Sequence, residues 1–146
     1  MAGKLDAERV MSGTFGELWL DGEYMAEVLA FEASIEIETE EVPQAGLYTT
    51  DQKYMGHKGS GTMRLHKMSS RVAKKVSDSL KKGILPRMQM LSSLNDPAAW
   101  GAERVLVKDA RINKISLANW ELKKKGEEEF PFTFTDWEFK DAVNAG

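Results

Sequence analysis

The feature that most constrains this chain is the alternation at residues 29–38. Leu29, Phe31, Ala33, Ile35 and Ile37 fall on one face, and Ala30, Glu32, Ser34, Glu36 and Glu38 on the other. A period of two held this long specifies a strand with one buried face. Just upstream, Asp21-Gly22 separates Phe15–Leu20 from the run Glu23–Glu40. Asp-Gly between hydrophobic runs specifies a type I′ turn, because both central positions need positive φ. The expectation is a hairpin from Phe15 to Glu40. Its second arm, Glu23 to Thr39, would reach roughly 50 Å, whereas an ordinary strand has about 5–6 residues. A strand of that reach outruns a small core, so part of it is expected to pair or pack beyond its own subunit.

The 146 residues are enough for one domain, 1–146, burying about 68–70% of its unfolded surface. A net charge of −3 leaves no electrostatic footprint for nucleic acid. The absence of cysteine removes disulfides and thiolate chemistry. No apolar run approaches the ~20 residues of a membrane span, and no signal-peptide core opens the sequence. The expectation is a soluble protein made in the cytoplasm of its host, with no membrane insertion.

Met1 to Ser12 reads as a frayed end or a docking arm. Residues 42–57 read as a long loop, broken by Pro43, Gly46 and Gly56. Loops beyond ~12–15 residues are uncommon in compact domains and are usually functional or disordered. This one carries Leu47, Tyr48, Tyr54 and Met55, the mark of a partner surface. Lys58–Lys67 returns to strand period, with Gly59, Gly61, Met63 and Leu65 on one face. Glycines there mark a bulge or a close backbone approach. A helix is expected from Ser69 to Lys82. It is capped by serine, stopped at Gly83, packed through Val72, Val76 and Leu80, and basic on its other side. Further strands are read at Pro86–Leu94, Arg104–Lys108, Arg111–Leu117 and Trp120–Thr135, with a short tail from Trp137 to Val143. Pro131 places the Phe130–Phe134 strand at an edge or bulge. Phe130, Phe132 and Phe134 share its core face. Strands do not alternate with helices, which argues against a parallel α/β fold. A mainly β fold remains, an antiparallel sandwich or barrel with one flanking helix.

No catalytic constellation emerges. Residues 56–62 are glycine-rich but lack the Gly-Lys-Ser/Thr of a phosphate loop. His57 and His66 have no third clustered ligand, so no metal site is expected. No cofactor site is read. A hydrolytic enzyme is disfavoured, since no nucleophile–base or zinc set appears.

The segment Ser12-Gly13-Thr14-Phe15-Gly16-Glu17-Leu18-Trp19-Leu20-Asp21-Gly22 resembles the opening of tail tube proteins of contractile-tailed phages. The versions in the phage-like element PBSX and in R-type tailocins are the nearest in character. Residues 54–61 resemble that family's loop-to-strand junction. Similar too are Ser92 to Pro97, Gly101 to Arg104, Trp120-Glu121 and Phe130 to Thr135. The resemblance lies in their number and order.

It implies two antiparallel sheets with one helix. It implies hexameric rings stacked into a hollow tube, inside a contractile sheath, between a baseplate and a tail terminator. DNA would pass through without specific binding, or the tube would puncture a membrane in a tailocin. Leu47, Tyr48, Tyr54 and Met55 become the expected ring-to-ring contact. Glu32, Glu36 and Glu38 become the expected acidic lining of the bore, with the lysine-rich helix turned outward. The competing expectation is a small β-barrel module binding a ligand or carbohydrate. That reading needs a concave pocket lined by aromatics with a few convergent polar groups.

Overall fold

The computed structural model describes residues 7–99 and 101–141. Among them are strands β1 (Gly16–Leu20), β2 (Glu23–Tyr24), β3 (Val28–Pro43), β4 (Thr50–His66), β5 (Met88–Leu94), β6 (Glu103–Ile112), β7 (Glu127–Phe134) and β8 (Asp136–Asp141), with one α-helix, α1 (Arg71–Lys81). Every pairing is antiparallel. One sheet runs β2-β1-β5-β6, with β8 on the other flank of β6; the second runs β7-β4-β3. β6 belongs to both. Residues Arg104–Lys108 pair with β8, while Arg111 and Ile112 pair with Thr133 and Phe132 of β7. Asp109, at φ 53°, and a register shift between Met88 and Met90 on β5 mark the bend. Such bends let one strand pass between the layers of a sandwich.

The core lies between the sheets. Leu18, Leu20, Met88, Met90, Val107 and Ala110 come from one side. Met63, Leu65, Phe130, Phe132 and Phe134 come from the other. Val72, Ala73 and Val76 of α1 complete it. Leu80, expected in the same stripe, is exposed: the helix meets the core only through its first two turns. Gly83 stops it at φ 75°, where the left-handed conformation needs no Cβ.

The Asp21-Gly22 turn forms as expected, with φ of 49° and 82°. Its carboxylate accepts from Gln89 N at 2.8 Å and Lys75 Nζ at 2.7 Å, tying the turn to the β5 strand and to α1. The second arm of that hairpin ends at Tyr24. The long alternating strand begins anew at Val28 and pairs with β4, from Val28↔Leu65 to Pro43↔Thr50. Arg71 anchors the crossing, donating to Glu23 at 2.5 Å and to buried Glu27 at 2.8 Å.

The expected loop at 42–57 is therefore mostly strand. Pro43 closes β3, and Gly46 forms the tip at φ 81°. Gly56, at φ 138°, sits beside a bulge that leaves Met55 without a partner. Pro43 and Gly46 thus mark the strand end and the turn, and only Gly56 is absorbed within the ladder, at its bulge. The expected extended run Trp120–Thr135 shortens to β7, and residues 113–126 carry no strand. Pro131, expected at an edge or bulge, lies inside β7, which has β4 on one flank and β6 on the other and keeps an unbroken register with β4. Its carbonyl accepts from Asn113 N at 2.8 Å, but proline has no N–H to return the reciprocal ladder bond, and the β6–β7 pairing stops at Ile112. The strands expected at Arg104–Lys108 and Arg111–Leu117 are one strand ending at Ile112. Residues 7–12 dock, with Arg9 donating to Ala98 O and Ser12 N to buried Asp96. Residues 1–6 and 142–143 of the two expected ends lie outside the described residues.

Candidate functional site: a projecting hairpin

The β3–β4 hairpin has two faces. Phe31, Ala33, Ile35 and Ile37 lie opposite Met63, Gly61, Gly59 and His57. Near its base this face lies on the core. Phe31 stacks on Phe132 with ring centroids 5.6 Å apart, and Ile35 packs on the core cluster. Gly59 and Gly61 are required there. A Cβ at either position would run into the ring of Phe134 or Phe132, and at Gly61 also into the Glu32 carbonyl. This is the close approach that glycines in a strand pattern signal.

Towards the tip the same face leaves the core. Ile37 is 65% exposed, Tyr54 57% and Met55 54%. Val42, on the glutamate face, and Leu47 and Tyr48, in the turn, are exposed as well. An aromatic chain bridges the two regimes: Phe134 meets Trp137 of β8, Trp137 meets His57 edge-on at 5.2 Å, and His57 stacks on Tyr54 and is hydrogen-bonded to its hydroxyl. The four residues expected at a contact surface thus share one hairpin arm. Leu47 and Tyr48 occupy the tip, and Tyr54 and Met55 sit just below it.

Glu32, Glu36 and Glu38 share the opposite, outward face. Pairing with β4 changes its charge. Arg64 and Lys58 stand on that face, and Lys58 Nζ lies 3.3 Å from Glu38. An ion pair this exposed is worth little in stability, but it moderates the sign of the surface. Adjacent β7 adds Glu127 and Glu129, and β6 adds Arg111. The lysines were invisible along β3 because they arrive from its partner strand. The basic side of α1 lies elsewhere, with Lys75 against Asp21.

A cleft of about 620 Å³ opens at the seam between β1 and β3. It is lined by Gly13, Gly16, Glu17, Leu29, Ser92 and neighbours, with Phe31 its sole aromatic. That is not the aromatic-walled pocket a carbohydrate module requires. Among the described residues no three His, Cys, Asp or Glu side chains group as metal ligands, and no helix is long and apolar enough to cross a membrane.

Comparison with known proteins completes the picture. A family model described as "Phage tail tube protein" matches residues 3–141. The phage-like element PBSX protein XkdM of Bacillus subtilis (strain 168) is 34% identical over 142 residues, covering 96% of this chain and 97% of that protein. Among solved structures, a chain of the anti-feeding prophage cap, a tube-terminating cap, superposes with a TM-score of 0.74 at 9% identity, covering 97% of both chains. A chain of the sheath–tube complex of the extracellular contractile injection system PVC, in its extended state, gives 0.73 at 10% identity, covering 93% of this chain and 95% of that one.

Proposed function

Because the chain belongs to the phage tail tube protein family, a family of structural proteins and not of enzymes, we propose that it forms hexameric rings that stack into the inner tube of a contractile tail or phage-like particle. One observation carries the stacking: the distal half of the β3–β4 hairpin stays paired past one bulge out to Pro43↔Thr50, while its exposed apolar side chains cover no core of their own. A free hairpin of that kind exposes apolar surface that association would bury. The outer edge of β3, unpaired among the described residues, would likewise be satisfied by a neighbour in the ring.

In this reading Leu47, Tyr48, Tyr54 and Met55 make the ring-to-ring contact. The outward face holding Glu32, Glu36 and Glu38 lines the bore. Its mixed charge, acidic on balance, gives DNA phosphates no basic track to hold, since release of counterions by basic groups is what makes DNA adhere. A sheath protein surrounds the tube, and a baseplate and a terminator close its ends. The sheath–tube and tube-cap origins of the similar solved chains support that environment. Synthesis in the host cytoplasm and assembly in the particle follow from the same reading.

Size-exclusion chromatography with negative-stain microscopy tests it. Sixfold rings, and stacks of them at high concentration, are expected. A monomer at every concentration would overturn it. For the bore, replacing Glu32, Glu36 and Glu38 with lysine should make assembled rings retain short DNA in a salt-sensitive way. A variant that assembles and still ignores DNA at low salt would remove those residues from the lining.

A further inference from the structure

The hairpin tip has a complement on this same chain, at the other end of β4. β4 runs 17 residues from Thr50 to His66, a span of roughly 55 Å. Thr50 adjoins the tip. At the far end Lys67 N donates to Gly126 O at 2.8 Å, which brings residues 113–126 to the pole opposite the tip. The start of α1 is there too: Lys67, Lys74, Ser77, Leu117 and Glu128 line one shallow depression of about 240 Å³.

The two poles are matched in shape of chemistry and opposite in charge. The tip carries Glu38, Glu40, Glu41 and Asp51 against Lys53, opposite Glu40, and Lys58, paired with Glu38, so it stays acidic on balance. Its apolar groups are Val42, Leu47 and Tyr48, all exposed. The opposite pole carries Lys114, Lys123, Lys124 and Lys125 against Glu121, which pairs with Lys124 at 3.2 Å. Glu128 is buried in that depression beside Lys67 and Lys74, and Glu127 and Glu129 lie on the outward face of β7 opposite His66 and Arg64. The apolar groups of this pole are Met68, Leu117, Trp120 and Leu122, exposed by 76–80%. So many large apolar side chains in an irregular surface segment are unusual without a partner.

We infer that the hairpin tip of one copy seats on the 113–126 segment of the next copy along the tube axis. The inference rests on the tube reading above and names the receptor for its hairpin. The carboxylates of the tip face the lysines of the segment, and Leu47 and Tyr48 meet Leu117, Trp120 and Leu122. Because the two surfaces differ and lie at opposite poles, the contact is head-to-tail. It does not close on itself, so it propagates as a polar stack.

The chain has no cysteine, so introduced thiols report cleanly. Tyr48→Cys and Trp120→Cys are made singly and together, assembled, and treated with a short bismaleimide, with wild type imaged in parallel. The expected result is a ladder of covalent multimers from the double variant, dimers from a mixture of the two single variants, and none from either alone. Tubes without a ladder would overturn this inference and leave the tube reading standing. Wild type that never forms rings or stacks would overturn both. Dimers from Tyr48→Cys alone would mean tip-to-tip contact and overturn it too. A charge exchange tests it without crosslinking. Lys123→Glu, Lys124→Glu and Lys125→Glu together should abolish stacking, and Glu40→Lys, Glu41→Lys and Asp51→Lys in the same chain should restore it. Loss without restoration would count against the pairing.

Discussion

The base and tip of the β3–β4 hairpin belong to one paired ladder, shifted at a bulge between Glu38 and Thr39, and differ in what lies against their apolar side chains. At the base Phe31 stacks on Phe132, and Met63 and Leu65 are fully buried. At the tip Ile37, Val42, Leu47, Tyr48 and Tyr54 meet solvent. Backbone pairing alone does not hold an isolated two-stranded hairpin in water. The base draws its stability from the core, and the tip is tethered to the base through the ladder and the Trp137–His57–Tyr54 chain. Apolar groups at the base serve folding, and those at the tip are free to serve assembly.

The sharpest way to break that comparison is to strike each half. Phe132→Ala removes a ring 1% exposed that supports Phe31 and Phe134, and should lower subunit stability by about 3–5 kcal/mol in chemical denaturation. A loss near zero would mean the base does not rest on this core. Gly61→Ala forces a methyl against Phe132 and the Glu32 carbonyl, and should cost about 1–3 kcal/mol. Tyr48→Ala at the tip should leave the same denaturation curve within about 0.5 kcal/mol while stack length by microscopy falls. Equal damage to folding from Tyr48→Ala and Phe132→Ala would erase the distinction between the halves.

Much of the base was legible in the sequence. Alternation marked β3, the Asp-Gly pair its preceding turn, and the period-two phenylalanines the core of β7. Glycine at 59 and 61 was rightly a sign of close approach. The tip was not legible as strand. Pro43, Gly46 and Gly56 are the residues that normally end pairing, and only the register shows them placed at a strand end, a turn and a bulge. Nor does alternation name a partner: β3 was expected to return from Asp21-Gly22, yet Arg71 holds the crossing and β3 pairs with β4. The same blindness made the outer face look wholly acidic, because Lys58 and Arg64 come from the partner strand. The exposure of Leu80 and the strandless 113–126 segment depend on tertiary packing that periodicity does not encode.

The smallest expected effect lies away from both halves and serves as a reference. Glu138 on β8 is hydrogen-bonded by Lys108, with further help from Lys140, and its carboxyl is held below the usual glutamate range. A carboxyl depressed in the folded state adds stability above its unfolded value, and that contribution is lost as pH falls through the folded one. Glu138→Gln should therefore shift the melting temperature slightly at neutral pH and not at all in strong acid. The group is exposed, so solvent keeps the effect small.

The central claim, that the tip is folded for a neighbour and the base for its own core, is tested most directly by hydrogen exchange on peptides from the two halves, in isolated subunits and in assembled stacks. Amides of the base, around residues 31–35 and 59–65, should be strongly protected in both states. Amides of the tip, around residues 38–55, should exchange quickly in the subunit, where solvent reaches a hairpin with no core beneath it, and become protected in the stack. Tip amides that exchange equally fast in both states would contradict the account.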